Sequence, residues 1–97
     1  MSTATETKTK IQIKPVNMWR VVFHNDDFTP IDFVVEVLAQ LFNKDYETAM
    51  QIAQNIHDTG RGVAGVYTKE VAQQKAVDTC RIANKHGHPL KATAEES

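Results

Sequence analysis

The chain has 97 residues, 41% of them hydrophobic, enough for one small core and too few for two. Its 11 Lys plus Arg stand against 12 Asp plus Glu, a formal charge of -1, so no bulk field draws it to nucleic acid or to an anionic membrane. A single cysteine, Cys80, cannot close an internal disulfide. With no charged-then-apolar leader and no membrane-length apolar run, the expected setting is a reducing cytoplasm.

Residues 1–16 hold threonines and lysines and no aromatic residue, too little apolar area to offset the entropy of ordering. They are expected to form a flexible extension ahead of a core domain over 17–94, with 95–97 as a frayed end. Met18 to His24 is a β-branched and aromatic run that predicts a first strand. Thr29 is placed to cap a helix, Pro30 fits its first position, and Asp32 puts a negative charge in its first turn.

Ile31, Val34, Val35, Leu38, Leu41 and Phe42 then recur at helical spacing. Asn43-Lys44-Asp45 interrupts that pattern. Tyr46, Ala49, Met50, Ala53, Ile56 and His57 resume it as far as Gly60, a candidate left-handed cap, so two helices form a hairpin.

The glycines at 60, 62 and 65 predict a turn before a short second strand at Val66-Tyr67. Thr68 is placed to cap a third helix, from Lys69 to about Lys85, whose small-residue face is Ala72, Ala76, Cys80 and Ala83. Gly87 ends it, and Pro89 to Thr93 reads as a short last strand.

Asn25-Asp26-Asp27-Phe28-Thr29-Pro30 gathers oxygen acceptors where the first strand gives way to a helix. Alone, it is also readable as an Asx-type turn, and His57 as a histidine satisfied on a helix face. A contact between this loop and the end of the second helix joins the two: a neutral imidazole, an amide carbonyl and a carboxylate then converge as acceptors. A peptide α-amine is a compact ammonium with three N–H donors, and Ile31, Val34, Ala53 and Ile56 could wall a pocket for its side chain.

Other chemistries fit less well. The acids lack EF-hand spacing, and the histidines with Cys80 lack metalloprotein spacing, so no metal or cofactor is expected. The glycines lack the Gly-Lys-Ser/Thr ending of a phosphate loop. Cys80 has no activating base beside it, which leaves it a small hydrophobe rather than a nucleophile.

The run Val21 to Pro30, Phe33-Val34-Val35, His57 with Gly60, Gly65 to Ala72, Lys75 and His88-Pro89-Leu90 resembles, in order and spacing, the ClpS family. ClpS proteins are bacterial adaptors that hand N-degron substrates to the ClpA AAA+ unfoldase of the ClpAP protease. The resemblance implies an α/β domain of the α+β type, three helices packed on a three-stranded antiparallel sheet, with no enzymatic activity.

It implies that Asn25, Asp26, Asp27 and His57 hold a substrate α-amine, Asp27 being the better placed of the two acids. Thr29, Ile31, Val34, Ala53, Ile56 and Leu90 are then the pocket for a first side chain of Leu, Phe, Tyr or Trp. The family often has methionine where this chain has Ile31 and Ala53, which stiffens one wall and shrinks another. Glu70 and Lys75 match positions that contact the unfoldase's N-terminal domain; without the resemblance they read as a solvated helix pair. The rival readings are a small acid–base enzyme using Asp26, Asp27 and His57, and a general interaction module indifferent to chain termini.

Overall fold

A computed structural model of the protein describes residues 17–97, and the extension expected over 1–16 lies outside them. The first strand, β1 (Trp19–His24), is the middle of a three-stranded antiparallel sheet of order β2-β1-β3. Its period-2 alternation sets the architecture: Val21 and Phe23 join the core, and Val22 between them faces the other way.

Helix α1 (Ile31–Leu41) buries Val34, Val35 and Leu38 of the expected stripe, leaves Ile31 and Leu41 partly exposed, and buries Val37 as well. Asn43, at a φ of 54, takes the left-handed turn that a short polar side chain tolerates. Asp45 then caps α2 (Tyr46–Thr59), its carboxylate accepting from the Thr48 N–H at 2.8 Å. Gly60 ends α2 with a φ of 98, as expected of a left-handed cap. Helix α3 (Lys69–Lys85) lies close against the sheet because Ala72, Ala76 and Ala83 are small and buried.

Four local expectations are overturned. The second strand, β2, is Arg61–Tyr67 rather than a short piece at Val66. Its glycines serve close packing inside the strand instead of a turn. A Cβ on Gly62 would lie 2.7 Å from Ile56 Cγ1, and one on Gly65 would lie 2.7 Å from the Tyr67 ring. Ala64 is the extra residue of a bulge between the Val21–Gly65 and Val22–Val63 pairs.

The last strand, β3, is Lys91–Glu96, so the frayed end expected over 95–97 is instead paired. Trp19 faces Glu96, Ser97 N–H donates to the Met18 carbonyl at 3.0 Å, and Arg61 meets Glu95 at 2.8 Å. The glutamates look like a solvated tail in sequence, but a sheet with helices on one face leaves the other open to charge. The predicted caps differ too. Pro30 is the residue preceding α1, with no side-chain cap, because Thr29 is turned away; Thr68 sits at the start of α3 without a side-chain bond.

Lys75 is neither solvated nor free. Its ammonium donates to the Leu41 carbonyl at 2.7 Å and lies 5.5 Å and 5.4 Å from the Phe42 and Tyr67 ring centroids. Helix α1 carries no basic residue in its own last turn, and Lys75 supplies that positive charge from α3. The hydrogen bond and ring contacts predict that Lys75→Ala costs about 1–2 kcal/mol in urea unfolding. A cost below about 0.3 kcal/mol shows the contact to be incidental.

Candidate functional site

The site begins where β1 ends. Asn25 N–H donates to the Gly60 carbonyl at 2.8 Å, continuing the β1–β2 pairing by one residue, while Gly60 N–H closes α2 onto the Ile56 carbonyl at 2.9 Å. One glycine thus ties the loop after β1 to the end of α2, and His57 in that last helical turn comes beside Asn25. His24 is held elsewhere, its Nε2 2.9 Å from the Thr93 hydroxyl.

The loop is shaped by Asp26. Its carboxylate accepts from Phe28 N–H at 2.8 Å, Thr29 N–H at 2.7 Å and the Thr29 hydroxyl at 2.8 Å. Thr29 therefore serves the loop, not the helix start. Partial burial opposes the charged form of Asp26, but these bonds and nearby His88 outweigh it and hold the carboxyl below its ordinary 3.8. A depressed value means the loop bonds stabilise the fold at pH above 3.8 and fade as acid protonates Asp26. Asp27, by contrast, is exposed and takes part in no side-chain hydrogen bond among the described residues.

Asn25, Asp26, Asp27, Thr29, Ile31, Val34, Ala53, Gln54, Ile56 and His57 line one pocket of about 330 Å³. Val34, Ala53 and Ile56 are its buried floor, and Ile31 is half-buried. All four polar residues expected at the amine site, Asn25, Asp26, Asp27 and His57, line this pocket together with the apolar wall, although Asp26 has its carboxylate bonded within the loop. Leu90, expected in this wall, is not among the residues that line the pocket and belongs to the hydrophobic core.

Gln54 was not anticipated. It breaks the apolar stripe and reads as solvent-facing, although its place one turn before His57 was a usable signal. Glu70 and Lys75 do not line the pocket either; Glu70 is exposed in the first turn of α3. Among the described residues no three His, Cys, Asp or Glu side chains group as metal ligands, and no helix is long and apolar enough to cross a membrane.

The family model described as "ATP-dependent Clp protease adaptor protein ClpS" matches residues 14–93. A relative from Burkholderia cenocepacia (strain HI2424), named "ATP-dependent Clp protease adapter protein ClpS", is 47% identical over 96 residues, covering 99% of this chain and 91% of its own. A like-named protein of Paraburkholderia xenovorans (strain LB400) is 46% identical over 86 residues, covering 89% and 83%. Among solved structures, Agrobacterium tumefaciens ClpS2 bound to L-phenylalaninamide superposes with a TM-score of 0.82 at 29% identity, over 86% of this chain and 100% of that one. By the extent of the family match and the near full-length relatives, the chain belongs to the ClpS family of Clp protease adaptors.

Proposed function

We propose that this adaptor binds the free N-terminal residue of a substrate, a bulky Leu, Phe, Tyr or Trp, and delivers it to a ClpA-type AAA+ unfoldase in the cytoplasm. It is an adaptor and not an enzyme, so Asp26, Asp27 and His57 have no proton-transfer role. The observation that carries the reading is the adjacency, in one pocket, of unspent acceptors and an apolar floor.

In this reading the Asn25 side-chain carbonyl, the Asp27 carboxylate and an unprotonated His57 ring nitrogen accept from the three N–H groups of the α-amine. Asp26 acts through the loop it holds. The first side chain enters against Ile31, Val34, Ala53 and Ile56 and shields the ammonium from water. An ammonium and a carboxylate about 4 Å apart attract by roughly 1 kcal/mol in water and roughly 4 kcal/mol at an effective dielectric of 20, so shielding strengthens the pair. That A. tumefaciens ClpS2 was solved with L-phenylalaninamide supports this, since the compound joins a free α-amine to a benzyl side chain.

Ile31 gives the wall a stiff β-branched side chain and Ala53 leaves room beside it. Of the two positions expected to meet the unfoldase's N-terminal domain, Glu70 offers an exposed charge. Lys75 acts by holding the α1–α3 joint near that surface.

Acetylating the amine of a Phe-starting peptide removes its charge and donors, and each unpaired acceptor costs about 1–3 kcal/mol. Fluorescence anisotropy should show affinity for the acetylated peptide reduced at least about tenfold; equal affinities sink the proposal. His57→Ala should weaken the free-amine peptide about tenfold, or ~1.4 kcal/mol, and a loss within about twofold makes His57 structural. The two aspartates should separate. Asp26→Ala lowers unfolding stability by about 1 kcal/mol through its lost loop bonds. Asp27→Ala leaves stability within ~0.3 kcal/mol while weakening the peptide. The reverse assignment in denaturation and binding assays refutes the division.

A further inference from the structure

Tyr46 and Met50 belong by spacing to the inward stripe of α2, yet they are 64% and 37% exposed while Ala49 and Ala53 beside them are buried. Four residues apart, they lie on one side of the helix, ahead of the pocket-lining Gln54. Gln54 lies one turn beyond Met50 and lines the cavity itself. Its Nε2 donates to Asp58 Oδ1 at 3.1 Å, which orients the carboxamide and leaves its carbonyl and second N–H open.

The spacing suits an extended chain. Four residues of helix advance about 6 Å. An extended peptide advances about 3.3 Å per residue with side chains on alternate sides, so its first and third side chains fall about 6.6 Å apart on one side. A chain whose first residue is in the pocket and which runs back along α2 brings its third side chain over Met50. In the opposite direction α2 continues with Asp58 and Thr59, both exposed and polar.

Resting on the reading that the first residue occupies the pocket, we propose that Met50 and Gln54 form a second subsite on the same bound chain. Met50, unbranched and adaptable, packs an aliphatic third side chain, and Gln54 bonds the backbone amide between the two positions. The adaptor then reads beyond the terminal residue without enclosing more of the substrate.

Anisotropy titrations of the full chain with Phe-Ala-Leu and Phe-Ala-Ser peptides of otherwise identical sequence test this. The native protein should prefer Leu about fivefold, as expected from roughly 40 Å² of buried apolar area. Met50→Ser should bring the ratio below twofold; Met50 lies outside the buried core cluster, which the substitution leaves intact. Gln54→Ala should weaken both peptides alike, about threefold to fivefold. A native ratio below twofold, or one that stays above twofold in Met50→Ser, overturns the subsite. The acetylated peptides run alongside judge the pocket separately: discrimination against them with no third-residue preference rejects the subsite alone.

Discussion

The site depends on one backbone hydrogen bond, from Asn25 N–H to the Gly60 carbonyl. It extends the β1–β2 ladder past His24–Arg61, and so inherits the register of the whole sheet. Gly60 can accept it only because a left-handed φ of 98 stops α2 and turns the chain into β2 within one residue. The position of His57 relative to Asn25 is thus fixed by sheet pairing on one side and helix termination on the other. No flexible segment intervenes.

Around that joint, the polar side chains divide by whether their hydrogen bonds are already used. Asp26 spends its carboxylate on Phe28 and Thr29 and becomes part of the backbone's shape. Asp27, one residue on, faces the cavity with its oxygens open. Neighbouring, chemically identical residues therefore differ in whether their oxygens are already bonded, and sequence alone separates them only by their spacing from Asn25. The same logic separates Glu70 from Lys75. An exposed carboxylate is available to a partner, whereas an ammonium bonded to Leu41 and set against two rings stabilises the fold.

The helices α1, α2 and α3 were legible because each repeats buried apolar residues at helical spacing, Val34, Val35 and Leu38 in α1, Ala49, Ala53 and Ile56 in α2, and Ala72, Ala76 and Ala83 in α3. The joint at Gly60 was legible as well, from a glycine that ends an apolar stripe. What failed did so where a residue's meaning depends on a distant neighbour. Gly62 and Gly65 look like turn residues until Ile56 and the Tyr67 ring are seen to occupy the space of a side chain. Glu95 and Glu96 look like a solvated end until Arg61 and the full length of β1 are placed beside them.

Tyr46 and Met50 fit the helical stripe but not the burial that the stripe implies. An α2 of alanine at 49 and 53 brings its backbone near the rest of the core, and the larger side chains one position round the helix are left outside. Small residues inward thus place apolar surface outward, along the approach to the pocket. Single exposed apolar residues are ordinary on protein surfaces and need no explanation. Two of them on one helix, at four-residue spacing ahead of the pocket-lining Gln54, are the surface on which the proposed second subsite rests. In the proposed binding mode the chain starts in the pocket that the ladder bond at Asn25 helps to shape and follows the helix axis with a period an extended chain can match.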